Sequence, residues 1–438
     1  MFRRLPVWLV LLLLLLGALA ALMFGALVLH AARGGTRFKP VQDVAVAIAE
    51  TPFVARAALR SNDGFIAPPG KDSLPPGFWD NPADPLVDTG YVLVPVFDGE
   101  RELPYVVLLR LSDGAVVREY WLDKAGLDRT ADRAWRPTFD DRAVPFHIIH
   151  PDLTPDGGLL FNGRSLLVRT DGCGQTLWTA AGFHHSIERD GDGRIWAPAV
   201  LPLPPRADVR PSFRDDTIVR LTPDGRKELE VPSSEIFRRN GLHHLVVGRP
   251  YTDDPYHLND IEPVLADGPH WKKGDVFLSF RHQSLVMLYR PSSGKVLWAK
   301  AGPWRAQHDV TILDDHRIGV FDNQVVIGFA DEQVAGHNRE IVYDFASRKV
   351  SSPFDGGFEK HGLATVVGGR GTPLANGDLV VEDTNAGRLV RMNAQGDVRW
   401  RYIHGDEKGT RFRLAWARYL DPKKYAGAIE AAMETRCR

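Results

Sequence analysis

At 438 residues the chain is long for one compact core, which leaves several domains or one large repeat architecture. A formal net charge of −1, with charged residues at 25% and no basic block or acidic tail, excludes a dedicated nucleic-acid surface. The two cysteines, Cys173 and Cys437, stand far apart; they exclude a disulfide-stapled scaffold and any CxxC motif, and leave open whether they pair.

Arg3 and Arg4 precede an apolar run that opens Leu5-Pro6-Val7-Trp8 and continues to Leu29. Its roughly 25 residues are enough to cross about 30 Å of hydrocarbon as a helix. Positive charge ahead of the run keeps the N-terminus cytoplasmic and sends the rest outward. Residues 1–34 are therefore read as a single-pass anchor in the inner membrane, with the remainder periplasmic. The competing reading is a signal peptide cleaved after Ala18-Leu19-Ala20, but the run is longer than a signal core.

Residues 41–60 predict a juxtamembrane amphipathic helix broken at Pro52. The sequence APPGKDSLPPGFWDNPADP after it reads as a linker, so 35–87 joins anchor and main domain. From residue 88 the pattern changes to short β-type runs separated by Gly, Asp and Pro turns. Those runs repeat: LLRLSDGAVVREYW, LVRTDGCGQTLW, IVRLTPDGRKELEV, LYRPSSGKVLW and LVRMNAQGDVRW each give strand, polar turn and second strand, often closed by Trp. Their turn glycines are Gly114, Gly174, Gly225, Gly294 and Gly396, roughly 50–70 residues apart except for one double gap. IVYDFASRKV fills that gap. Six such units over 88–418 predict an all-β fold, a six-bladed β-propeller; a β-sandwich does not explain the shared ending. The last stretch, 419–438, predicts a short helix on the outside.

Three segments overlay without gaps: HPDLTPDGGLLF from His150, HSIERDGDGRIW from His185 and HDVTILDDHRIGVF from His308. An apolar residue follows at one offset in each, Leu160, Ile195 and Ile318. A fourth unit begins equivalently at His257, with an insertion before its second strand. The innermost strand of every blade lines the central channel, so these histidines are expected to converge at one mouth. A lone propeller histidine is usually structural; four at one blade position point to a site. Asn259 lies two residues past His257, hence on the same strand face. Arg281 follows in the next strand, and its planar guanidinium suits a tetrahedral oxyanion. For Arg370, Thr384 and Asn385 a surface role is the expectation. His184, His243 and His244 are read as structural. DGDG at 190–193 lacks the remaining ligands of a calcium loop and is read as a hairpin turn. No Walker loop, dinucleotide fingerprint or GxSxG elbow occurs.

The combination HLND…LSFRHQS followed by GPWRAQHDVTILDDHRIGVFDN resembles the bacterial arylsulfotransferases, most strongly over 183–325. The resemblance implies a six-bladed propeller that moves a sulfuryl group between phenols without a nucleotide donor. Carried over by motif, it makes His308 a nucleophile that is transiently sulfated. It gives His257, Asn259 and Arg281 the sulfuryl oxygens, with His185 and His150 completing the pocket. The implied partners are an aryl sulfate and a phenol, with no cofactor and no metal. Two features depart from the family pattern. No acidic residue directly follows His184-His185-Ser186, and the connecting segment is short and helical where better-known members carry a β domain that assists dimerisation. A homodimer therefore stays open. The insertion 200–216 (VLPLPPRADVRPSFRDD) could form a pocket wall.

Other functions compete. The histidines could hold a transition metal for hydrolase or lyase chemistry, although Arg281 would set positive charge beside it and few carboxylates accompany them. A non-catalytic envelope propeller that binds a partner would not need the histidines. A quinone-cofactor dehydrogenase lacks its eight-blade Trp repeat here.

Overall fold

The computed structural model describes residues 6–437 apart from 34, 60–64, 68–73, 82–87, 133–145, 164, 201–212, 250 and 328–331. Arg3 and Arg4, most of the 200–216 insertion and parts of the linker lie outside the described residues.

Helix Val7–Ala32 buries none of its side chains and is long and apolar enough to cross a membrane. A second helix, Val41–Leu59, continues through Pro52 instead of breaking there. The Thr51 hydroxyl donates back to the Ala47 carbonyl at 3.0 Å, a contact of the kind that lets a helix bend around a proline.

Six antiparallel sheets follow, the blades of a propeller. Blade two shows the pattern, with Ile149–Leu153 innermost, then Leu159–Gly163, Leu166–Thr170 and Thr176–Ala181. Blade five inserts a hairpin, Val325–Ile327 with Glu332–Val334, between its second and third strands. Gly77–Asp80, inside the stretch read as linker, adds a fifth strand to blade six by pairing with Val398–Ile403. The prolines and glycines around it hid that strand from the sequence. Arg418–Leu420 supplies the innermost strand of blade one against Tyr91–Asp98, so the chain's two ends are hydrogen-bonded across the closure.

Local chemistry accounts for the repeat. The turn between third and fourth strands needs a left-handed residue, and Gly114, Gly174, Gly225, Gly294 and Gly396 hold φ between 67° and 85° there. In the unit without a glycine Arg348 takes this conformation, at 58°. Between every two neighbouring blades lies a buried apolar cluster. Leu160 and Leu167 of blade two, for example, meet Ile195, Ala197, Val219 and Leu221 of blade three. Each such side chain contributes about 1.5–3 kcal/mol on full burial. The DGDG segment is a hairpin turn, with Asp190 Oδ1 accepting from the main-chain N–H groups of Asp192 and Arg194.

The C-terminal helix, Pro422–Glu434, starts from an Asp421 cap with proline in its first turn and buries Tyr425, Ala428, Ile429 and Ala432 against blades one and two. Beyond it Cys437 is joined to Cys173 in the blade-two turn, which settles the pairing that spacing left open. The bond closes a loop containing most of the propeller. Removing such a cross-link costs about 2–4 kcal/mol through the larger entropy of the unfolded chain. Cys437→Ser is therefore expected to lower the thermal midpoint of the full-length protein in detergent; an unchanged midpoint would show that helix packing alone holds this end.

Candidate active site

Strand entry positions the histidines. His150 is the second residue of its blade's innermost strand, His185 lies three residues before the innermost strand Glu188–Arg189, and His257 immediately precedes the innermost strand Leu258–Pro263, with φ of 55°, 56° and 51°. This left-handed conformation is sterically costly for residues other than glycine, and where such residues cluster a functional constraint is the usual cause. The gapless overlay needs one correction. In blade five the left-handed residue is Ala306, at 50°, and His308 lies two positions on, just before the strand Val310–Ile312, its N–H donating to Phe321 O at 3.2 Å. The matching hairpin lengths that aligned His308 with His185 do not report this shift of the bulge.

Blade five holds His308 firmly. The fully buried Gln307 donates its Nε2 toward Ser279 Oγ and the carbonyls of Phe280 and Leu285, at 3.1–3.2 Å, which ties the strand to blade four. Asn259 donates Nδ2 to the Gln307 carbonyl at 2.9 Å, so its one donor group faces the strand that carries His308. His308 itself is buried, with Nδ1 2.7 Å from Asn323 Oδ1. Asn323 spends its Nδ2 on the carbonyls of Thr365 and Gly368, which fixes Oδ1 as the atom facing the imidazole. An amide oxygen only accepts, so Nδ1 carries the proton and Nε2 the lone pair. Burial, and then the Arg281 charge, push the His308 pKa down to about 3.

Blade four supplies the facing groups. His257 Nδ1 sits 2.6 Å from Asp254 Oδ2. Burial alone would raise the Asp254 carboxyl, but the His257 hydrogen bond and neighbouring positive charge hold it at about 2. Arg281, nearly buried, donates its main-chain N–H to His257 O at 3.0 Å. Its guanidinium is met by both carboxylate oxygens of Glu332, from the blade-five hairpin. In blade three the ring of His185 lies 5.0 Å from that of His257. His184, read as structural, meets His185 through their Nδ1 atoms and reaches Asp216 at 3.3 Å through Nε2, so it belongs to the same cluster. Burial, then the surrounding imidazoles, keep His185 neutral.

Trp416 of blade one is the hub. Its ring centroid is 5.4, 5.6 and 5.7 Å from those of His150, His185 and His308, and its backbone is left-handed at 58°. Glu382 anchors it by accepting from the main-chain N–H groups of Trp416 and Ala417.

His150 is turned inward. Its Nδ1 stands 3.0 Å from Arg418 and its Nε2 3.5 Å from Arg370. Arg370 is consequently in the channel, bridging Glu188 at 3.0 Å and Asp309 at 3.4 Å, and Thr384 is buried on Glu382; neither has the surface position expected for it. Asn385 likewise spends its Oδ1 on Thr365 and Val366. At the opposite mouth, beyond Arg370, a cavity of about 490 Å³ opens between Pro263, Ile312, Pro373 and Tyr425.

The structure thus brings His185, His257, His308 and Arg281 to one mouth, sets Asn259 behind them and His150 below. Asp254, Asn323, Glu332 and Trp416 were not singled out from the sequence. Asp254 lies three residues before His257, and Asn323 ends the FDN of a quoted motif, so both carried a local signal. Trp416 and Glu332 carried none. The donor sets that could hold a metal among the described residues are Asp254 with His257 and His282, and an exposed turn of Asp314, Asp315 and His316.

A model of the arylsulfotransferase (ASST) family matches residues 156–405, more than half of the chain, a span that includes His185, His257, Arg281 and His308. No curated protein matches the sequence. Among solved structures, a protein of unknown function from Bacteroides caccae is 13% identical over 76% of this chain and 99% of its own, with a TM-score of 0.47. TolB from Acinetobacter baumannii is 11% identical over 77% and 68%, at 0.43. A catalytically inactive virginiamycin B lyase from Staphylococcus aureus is 12% identical over 60% and 72%, at 0.35. Likenesses this distant carry no argument about function.

Proposed function

The chain belongs to the arylsulfotransferase family, and on that premise we propose that it transfers a sulfuryl group from an aryl sulfate to a phenol in two displacements, through a sulfated His308. The observation that supports this most is the Asn323–His308 pair, which leaves a neutral Nε2 beside Arg281. In the first displacement the Nε2 lone pair attacks sulfur, the bond from sulfur to the phenolic oxygen breaks, and the departing oxygen takes its electrons and a proton. In the second, the acceptor phenol loses its proton, attacks sulfur, and the S–N bond returns its pair to Nε2. His257, braced by Asp254, is placed to pass both protons. Arg281 stabilises the sulfuryl oxygens as charge builds on them. His185 closes the pocket, Asn259 acts through Gln307 on the strand of His308, and His150 acts through Trp416.

On this account the apolar helix anchors the protein in the inner membrane with the propeller in the periplasm. Two arginines before the helix and a formed disulfide support that placement.

Steady-state kinetics of the full-length protein in detergent, with 4-methylumbelliferyl sulfate and varied phenol, should give parallel double-reciprocal lines. Intersecting lines would remove the covalent intermediate. A pH test follows from His308. Its folded pKa of about 3 leaves Nε2 unprotonated throughout the neutral range. The pre-steady-state release of 4-nitrophenolate, a leaving group that needs little protonation, should vary less than about threefold between about pH 5 and 8. A tenfold fall for each pH unit below 6.5 would mean that His308 titrates as an ordinary imidazole.

A further inference from the structure

The rim of the histidine site holds a donor set that sulfuryl transfer does not use as a set. Asp254, His257 and His282 each bring one ligand-type atom within 4.8 Å of the other two. The His282 ring lies 4.6 Å from that of His257. Its Nδ1 is 2.7 Å from the main-chain carbonyl of Asp254. A carbonyl only accepts, so that nitrogen carries the proton and Nε2 keeps its lone pair. Histidines that bind metals characteristically give the second ring N–H to a carbonyl or carboxylate in this way, which sets the tautomer and aims the ligand nitrogen. Asp254 adds an independent observation: its Oδ2 serves His257 while Oδ1 is buried and has no hydrogen-bond partner among the described residues. An unmet carboxylate oxygen is costly to bury and marks a place where a cation is welcome.

The surrounding charge is balanced. Asp254, Asp216 and Glu332 stand against the guanidinium groups of Arg214, Arg249 and Arg281 around these imidazoles, and Glu332 already neutralises Arg281. This meets the objection that Arg281 would repel a metal. Two imidazoles and one carboxylate, with positions left for solvent, suit zinc among the divalent ions, whereas magnesium and calcium want oxygen ligands.

We infer that Asp254, His257 and His282 form a zinc site on the channel rim, and that zinc bound there stops sulfuryl transfer by taking His257. The inhibitory half rests on the role given to His257 above; the binding half does not.

The test uses full-length protein in detergent, stripped of metal by chelation. Zn²⁺ is titrated against a chromophoric chelator, and Co²⁺ is followed by visible absorption. The expected results are one ion per chain, a cobalt spectrum of low coordination number, and affinity weakened at least about tenfold in His282→Gln and Asp254→Asn. In metal-free buffer His282→Gln should turn over 4-methylumbelliferyl sulfate at the parent rate and escape inhibition by zinc. Substoichiometric binding, or binding that both substitutions leave intact, overturns the site. Stoichiometric zinc with undiminished turnover overturns the inhibition. Should the protein turn over no aryl sulfate, the titration and the cobalt spectrum still decide the site, so the two proposals fail separately.

Discussion

Replacing His308 with alanine is expected to lower kcat for aryl-sulfate turnover by at least about 10⁴-fold while leaving the fold intact. The size of the effect follows from what is lost. Without Nε2 the reaction has no covalent intermediate, and the neighbouring donors can only assist a direct transfer whose two substrates must meet in one complex. The ring is also a minor part of the packing. It meets the Trp416 ring at a tilt, with centroids 5.7 Å apart, and Asn323 through one hydrogen bond, whereas the strand is held by Gln307 and Asn259. Turnover of 4-methylumbelliferyl sulfate, with thermal unfolding of the same preparation as the folding control, checks both halves. Activity within tenfold of the parent would move the nucleophile elsewhere.

The second large effect belongs to Arg281. Arg281→Ala is expected to reduce kcat by about 10²–10³-fold, the range found when one preorganised donor to a developing anion is removed. Arg281→Lys should recover only part, because an ammonium cannot reproduce the two parallel N–H bonds of a guanidinium. Glu332 makes the prediction sharper. Its carboxylate holds both arms of Arg281, and the arginine hydrogen bond in turn keeps the Glu332 carboxyl below its ordinary pKa, so it stays ionised at neutral pH. An incoming sulfuryl group must therefore compete with a carboxylate for the same arginine. Glu332 is about one-third exposed, which screens the contest. Glu332→Gln is accordingly expected to lower KM for the donor only about two- to fivefold, with kcat little changed. Initial rates over a donor series separate the two parameters. A rise in KM would mean instead that Glu332 aligns Arg281.

The propeller was legible because its information is local. A glycine turn and a closing tryptophan recur in units that each make a hairpin, and the unit lacking glycine still shows its strand pattern, with Arg348 bearing the strain. The strand Gly77–Asp80 escaped notice because it is formed only by pairing with Val398–Ile403, far along the chain. The site divides in the same way. His185, His257, His308 and Arg281 could be named from strand position and motif. The inward turn of His150 could not, because it depends on Arg370 and Arg418 from two other blades. Trp416 is likewise invisible in its own blade: it becomes the centre of the ring only when Arg418–Leu420 closes the circle against blade one. The two-residue displacement of His308 is a matter of where a backbone bulge falls, which residue types do not encode.

The most direct test of the central claim is to expose the full-length protein to 4-methylumbelliferyl sulfate with no acceptor, quench under alkaline conditions that spare phosphoramidate-like N–S bonds, and map the sulfated peptide by mass spectrometry. One sulfuryl group on the peptide carrying His308, absent from His308→Ala and discharged when phenol is added, is the predicted result. Release of 4-methylumbelliferone with no sulfated peptide, or a sulfuryl group on His257 or His185, would contradict it.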